Sequence, residues 1–225
     1  MPAPSRPIAN TIKQQVYQII KEQICSGHYR PGEWLQENEL ANIMKVSRSP
    51  VREALRKLAG DGLVVDVPNK GVFVKEYTPK DMEDIFDLRL MLESYAIQKS
   101  PQNLTEEKRS LLSDCMLQLK RAYEEDNLPL YIEIDTDLHN AIIGLSGNAL
   151  VESTYEKVHS MVKQFRIYSL TGKQRFDESI KEHSDIINLI LAGDVMQADR
   201  ICRTHLELAK EKILEHMSEH NADNK

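Results

Sequence analysis

One stretch of this 225-residue chain constrains its fold more than any other: Val46-Ser47-Arg48-Ser49-Pro50-Val51-Arg52-Glu53-Ala54-Leu55-Arg56. Val51, Ala54, Leu55 and Leu58 recur at helical spacing and make one apolar face, while Arg48, Arg52 and Arg56 stand at i, i+4 and i+8 as a basic stripe. Ser49 is placed as N-cap and Pro50 at the first helical position, where no backbone N–H is needed. A short helix with one side in a core and three arginines on another suits phosphates and base edges. It is therefore expected to be a recognition helix.

The flanks extend that reading. Ile12, Val16, Ile19, Ile20 and Ile24 predict a helix over 11–26, ended by Gly27. A Tyr29-Arg30-Pro31-Gly32 turn leads to a second helix over 36–44, with Leu40, Ala41 and Met44 inward. A turn at Lys45 then completes a helix-turn-helix. Beyond Gly62 the period becomes extended: residues 63–67 and 72–75 are β-branched runs around Pro68-Asn69-Lys70-Gly71, a hairpin. Three helices and a hairpin predict a winged helix-turn-helix whose wing tip offers Asn69, Lys70 and Gly71.

Thr78-Pro79 marks a boundary, giving a DNA-binding domain over 1–77 and a helical domain over 78–225. Helices are expected at 79–99, 104–126, 128–145, 149–170, 173–192 and 194–218, packed as an all-α antiparallel bundle. The fold class is thus mainly α. Residues 1–11 read as a flexible arm and His220–Lys225 as a fraying end. Charge divides at the same boundary: residues 1–80 carry 12 basic and 8 acidic side chains, the remainder 17 and 27. A net charge of −6 therefore hides a basic head and an acidic body.

Cys25, Cys115 and Cys202 are odd in number and widely spaced, which argues against a disulfide scaffold and for a reducing cytoplasm. No run of about 18 apolar residues predicts a spanning helix, and the N-terminus lacks the apolar core of a signal peptide.

The segment LQENELANIMKVSRSPVREALRKLAGDGLVVDVPNKGVFV resembles the winged-helix domain of the GntR superfamily of bacterial transcription regulators. DLRLMLES (87–94), DTDLHNAIIGLSGN (135–148), EHSDIINLILAGD (182–194) and His205 resemble the helical effector domain of its FadR subfamily, in the six-helix VanR-like branch. The family usually has Gly where this chain has Lys45. A left-handed non-Gly residue there costs about 1 kcal/mol. Asn38 matches a position that faces DNA, and it can bond a phosphate or an adenine edge. Arg48 and Arg52 are expected at or beside bases, since the Arg fork matches guanine O6/N7. Ser47, Ser49 and Arg56 are assigned to phosphates. Gly71 would let the wing approach the minor-groove backbone. A single winged domain contacts few base pairs, so a homodimer on a palindromic double-stranded operator is expected, dimerised through the acidic bundle.

In the helical domain, Asp135 and His139 share a helix face at i, i+4. By spacing alone these and His183 and His205 read more simply as surface or core residues than as ligands. The resemblance implies that all four bind a divalent ion (Zn, Ni or Mn) with positions open to a small organic acid. His28, His159, His216 and His220 match no such pattern, and Asp137 points away. Arg89 and Glu93, also i, i+4, read either as a helix-stabilising pair or as part of an effector site in which Arg89 meets a carboxylate; Arg166 is a similar candidate. Met82, Met91 and Met161 read as core.

The expected function is a metabolite-controlled transcription regulator, most simply a repressor and not an enzyme. The alternatives are a purely structural metal, an acyl-thioester effector, or a metal-dependent hydrolase, for which no HExxH-like general base is present.

Overall fold

The computed structural model describes residues 11–170 and 172–223; the expected N-terminal arm lies almost wholly outside them. The chain divides into two compact units, with the boundary between Tyr77 and Thr78.

The first unit contains α1 (Ile12–Cys25), β1 (Trp34–Leu35), α2 (Glu37–Met44), α3 (Arg48–Gly60), β2 (Val64–Val67) and β3 (Gly71–Val74). Thr11 opens α1 with a reciprocal capping box to Gln14, satisfying two otherwise orphaned amides. Ile20, Ile24, Leu55, Leu58 and Leu63 are fully buried together. Ile12 and Ile19, expected inward, are exposed, whereas Tyr17 is buried with its hydroxyl donating to Asp61 at 2.8 Å. The sheet has the order β1-β3-β2, all antiparallel, with Trp34 opposite Phe73 and Val67 opposite Gly71. The third strand, β1, is only two residues long and carries no readable alternation.

Two local details differ from expectation. The α3 helix starts at Arg48 with Ser47 as its cap residue, so Pro50 is the third helical residue. Its missing N–H is still one of the four donors that no helical carbonyl accepts. Lys45 closes α2 in the left-handed conformation, φ 54°, as the sequence comparison with Gly implied.

The second unit is helical: α4 (Pro79–Asn103), α5 (Glu106–Glu124), α6 (Leu128–Gly144), α7 (Ala149–Val162), a 3-10 turn (Lys163–Phe165), α8 (Arg166–Ser169), α9 (Lys173–Ala192) and α10 (Val195–Asp223). Thr78 and Asp81 form a capping box at the start of α4, with Pro79 in the first turn. Asn127 and Asn148 cap α6 and α7, and left-handed Gly193 ends α9. The single helix expected over 149–170 is three pieces. The α4 helix runs through Pro101 to Asn103, and α10 continues to Asp223 instead of fraying from His220. Helix α10 packs along α4 and α9, α5 packs on α6, and α4 also touches α6 and α7. This arrangement turns residues of α4, α6, α9 and α10 toward one interior. Met82 is core there, but Met91 is 62% exposed.

Candidate functional site

In the first unit Asn38, Ser47, Arg48, Ser49, Arg52, Arg56, Asn69 and Lys70 are all exposed. Arg48, Arg52 and Arg56 line a concavity of about 520 Å³ with Asn38, Trp34 and Gly71, so α2, α3 and the wing frame one surface. Ser47, Ser49 and Lys45 line a neighbouring groove at the start of α3. Two arginines of the stripe are not free. Arg52 donates from Nε to Oε1 of Glu37 at 2.8 Å and from Nη2 to Oε2 at 2.8 Å, and Arg48 Nη2 lies 3.5 Å from the same Oε2. The hydrogen bond from Arg52 holds the Glu37 carboxyl below its ordinary value. Sequence reasoning passed over Glu37, which reads there as an ordinary first-turn acid favoured by the helix dipole.

At the wing, Lys70 N–H donates to Val67 O at 3.0 Å, closing a turn with Pro68 and left-handed Asn69 (φ 61°) at its corners. Gly71 has φ 110°, and a Cβ there would stand 2.5 Å from Trp34 Nε1. The need for glycine thus arises inside the unit: the half-exposed Trp34 ring, stacked on Phe73 at 6.4 Å, occupies that space.

In the second unit His139 (α6), His183 (α9) and His205 (α10) are buried, and one ring nitrogen from each lies within 4.8 Å of the others. Asp135, one turn before His139, is also buried; its Oδ1 is 3.0 Å from His183 Nε2 and 3.6 Å from His139 Nε2. Its Oδ2 accepts from Arg166 Nη2. Burial would raise the Asp135 carboxyl, but Arg166 and His183 hold it well below the usual carboxylate range.

Each imidazole has a partner for its other nitrogen. His139 Nδ1 donates to Glu93 Oε2 at 2.8 Å, and His205 Nδ1 donates to Glu182 Oε2 at 2.7 Å. His183 Nδ1 meets the Tyr131 hydroxyl at 3.2 Å. Glu182 is itself gripped by Arg175 through both carboxylate oxygens. Burial lowers His139 to about 4 and His205 to about 3, so both rings are neutral at physiological pH. With the His139 Nδ1–H donated to Glu93, the Nε2 of the neutral ring is a lone pair, and it faces His183 Nε2 at only 3.3 Å. One proton on His183 Nε2, shared between that lone pair and Asp135, satisfies the arrangement. A divalent cation in the proton's place would meet three imidazole nitrogens and a carboxylate, with oriented outer partners of the kind metal-bound histidines have. The residues therefore fit such an ion.

Arg89 and Glu93 are a buried pair, not a surface one: Arg89 Nε donates to Glu93 Oε1 at 2.6 Å. Tyr155 donates to the same oxygen at 3.2 Å, so both oxygens of Glu93 are engaged. Burial opposes ionisation of Glu93, yet Arg89 and His139 hold it well below its ordinary value. Arg89 Nη2 is buried with no hydrogen-bond partner among the described residues. Arg166 Nη1 donates to His159 Nε2 at 3.2 Å; burial, then the Arg166 charge, lowers His159 to about 2. His159, Tyr131, Glu182 and Arg175 were not marked by sequence. Only Glu182, directly before His183, had a positional hint.

Residues 12–74 match the model of bacterial regulatory proteins of the gntR family, and residues 84–208 match that of the FCD domain. Among curated proteins, the chain is 30% identical to the Nta operon transcriptional regulator of Aminobacter aminovorans, over 84% of this chain and 89% of that protein. It is 26% identical to the HTH-type transcriptional repressor RspR of Escherichia coli K12, over 93% of this chain and 90% of that one. Among solved structures, E. coli McbR/YncC superposes with a TM-score of 0.80 at 20% identity, covering 92% of this chain and 99% of that one. A structure described as the metal-free FCD domain of TM0439 has a TM-score of 0.56 at 21% identity, covering 64% and 98%. With both halves matched in this order, the chain belongs to the GntR family of bacterial regulatory proteins, in the FadR/VanR-type branch that joins a helix-turn-helix head to an FCD domain.

Proposed function

We propose that the protein is a homodimeric transcription repressor that binds a palindromic operator through α3 and the wing and is controlled by a small carboxylate acting at a divalent metal centre in the FCD domain. The observation that carries the DNA role is the exposed arginine stripe of α3, set in one concavity with Asn38 and the wing. In this reading Arg48 and Arg52 meet bases, Asn38 meets a phosphate or an adenine edge, and Ser47, Ser49, Arg56, Asn69, Lys70 and Gly71 meet the backbone. Met91 and Tyr95, exposed one turn apart on α4, and exposed Leu150 on the adjoining α7 support a dimer surface on the helical body.

Asp135, His139, His183 and His205 are the proposed ligands, and the ion, Zn, Ni or Mn, supplies Lewis acidity toward a bound carboxylate. Arg89 is the proposed effector anchor, supported by its unpartnered buried Nη2. Arg166 holds Asp135 in place, and Glu93 orients His139. No helix among the described residues is long and apolar enough to cross a membrane, and the cytoplasm is the proposed compartment. Control requires that the acid bind the DNA-competent and DNA-incompetent states unequally; a coupling of about 1–3 kcal/mol changes operator affinity roughly 5–150-fold.

The test is a genomic pull-down of bound duplexes, followed by titration of the operator with and without a panel of organic acids. Sequence-selective binding that at least one acid alters supports the reading; indifference to every duplex sequence sinks it. Full burial of all three histidines favours a second reading, a purely structural ion. It is distinguished by operator affinity that no acid changes, together with a large loss of stability on chelation.

A further inference from the structure

A guanidinium group has two planar donor forks, one made by Nε–H and an Nη2 hydrogen, the other by Nη1–H and the second Nη2 hydrogen. Glu37 occupies the first fork of Arg52, at 2.8 Å on each arm. No other described residue bonds Arg52, so the second fork is left open toward the concavity. Glu37 is the first residue of α2, and its side chain is only 26% exposed, held by the two bonds to Arg52. An exposed arginine otherwise samples many rotamers, and holding one costs binding free energy. Glu37 also places a negative charge among three arginines on a surface that is to meet a polyanion. That charge weakens sequence-independent attraction to phosphate. A feature that lowers general attraction while fixing the direction of one donor pair is suited to discrimination.

We propose that Glu37 is a specificity-determining positioning residue: by holding the side fork of Arg52, it aims the end fork at O6 and N7 of one guanine in each half-site. This rests on the DNA-reading role proposed above. Glu37 touches no base; it acts through Arg52, and Arg48 shares its Oε2 at 3.5 Å.

The full-length wild-type protein is first used to select duplexes from a random pool. Wild type, Glu37→Gln, Arg52→Ala and the double variant are then titrated in gel shifts. The probes are the selected duplex, copies with each guanine in turn replaced by 7-deazaguanine, and a scrambled duplex. Wild type is expected to lose about tenfold in affinity at one guanine per half-site when N7 is removed. Glu37→Gln is expected to shrink that preference to within about twofold, with scrambled-duplex binding unchanged or tighter. In the Arg52→Ala background the Glu37→Gln change is expected to add nothing. Glu37→Asp, whose shorter carboxylate cannot span to the same fork, is expected to give the same loss and serves if Glu37→Gln does not fold. The proposal is overturned if Glu37→Gln or Glu37→Asp keeps the wild-type guanine preference. It is equally overturned if Glu37→Gln lowers binding as much with Arg52 absent as with it present, the mark of a merely structural role. Failure of the wild type to select any sequence would instead overturn the DNA-reading role, and this proposal with it.

Discussion

Nδ1 of His139 lies 2.8 Å from Glu93 Oε2, and that bond leaves Nε2 of the same ring as a lone pair 3.3 Å from Nε2 of His183. An ion at this point would be bound by the folded state alone, since the ligands come from α6, α9 and α10. Removing it with a strong chelator is expected to lower the melting temperature by about 5–10 °C, given roughly 2–4 °C per kcal/mol for a chain of this size and a few kcal/mol of linkage. Restoring a divalent metal should reverse the change. Protein that purifies without metal and melts identically in chelator would count against the metal centre.

Glu93 neutralises Arg89 as well as orienting His139. Glu93→Gln leaves a buried guanidinium without its partner charge and is expected to cost about 3–5 kcal/mol. Adding Arg89→Met removes the stranded charge, so the double variant should recover much of that loss in urea unfolding. Its metal affinity should stay about 10–100-fold weaker, because His139 still lacks its outer carboxylate. A double variant no more stable than Glu93→Gln alone would refute the pairing.

Acid should destabilise the chelated protein. Unfolded histidines take up protons near their ordinary 6.5, whereas His139 and His205 do so only near about 4 and about 3 when folded. The unfolded state therefore binds more protons in that window. The stability these rings contribute is fully present above 6.5 and is lost as pH falls toward their folded values. Glu93 and Asp135, held below the ordinary carboxylate range, add loss of the same sign at lower pH. Urea midpoints at pH 7.5, 6 and 5 should decrease in that order; a flat or rising series contradicts the neutral, buried assignment.

Two substitutions on the first unit should separate reading from gripping. Arg52→Ala is expected to abolish preference for the operator over scrambled duplex without changing the melting curve. Lys70→Ala, at the wing tip, should weaken all duplexes alike and reduce the slope of log affinity against log salt by about 1. Gel shifts across a salt series check both, and an Arg52→Ala protein with intact sequence preference would remove Arg52 from the reading surface.

The arginine stripe and the apolar face of α3 were legible because both follow the helical period on one short segment. The shared helix face of Asp135 and His139 was legible for the same reason, whereas the four-residue ligand set was read only from the family resemblance. Glu37 was not, since its bond to Arg52 spans fifteen residues and two helices. Tyr131, Glu182 and Arg175 escaped notice because tertiary packing, not spacing, turns them toward the histidines. The β1 strand is too short for any alternation to register, and its place in the sheet is fixed by β3 alone. The three-part form of the segment after Asn148 also left no mark in the pattern of apolar residues, which stays helical throughout.

Trp34 is the one tryptophan in the chain, and its indole nitrogen sits against Gly71 at the base of the wing, in the same concavity as the α3 arginines. Its emission therefore reports on that surface without any attached dye. Stacking or crowding by a duplex would quench it, and a change in emission on binding at the second unit would show that the first unit senses it. The molecule thus carries its own optical readout of whether binding in the second unit is felt at the surface framed by α2, α3 and the wing.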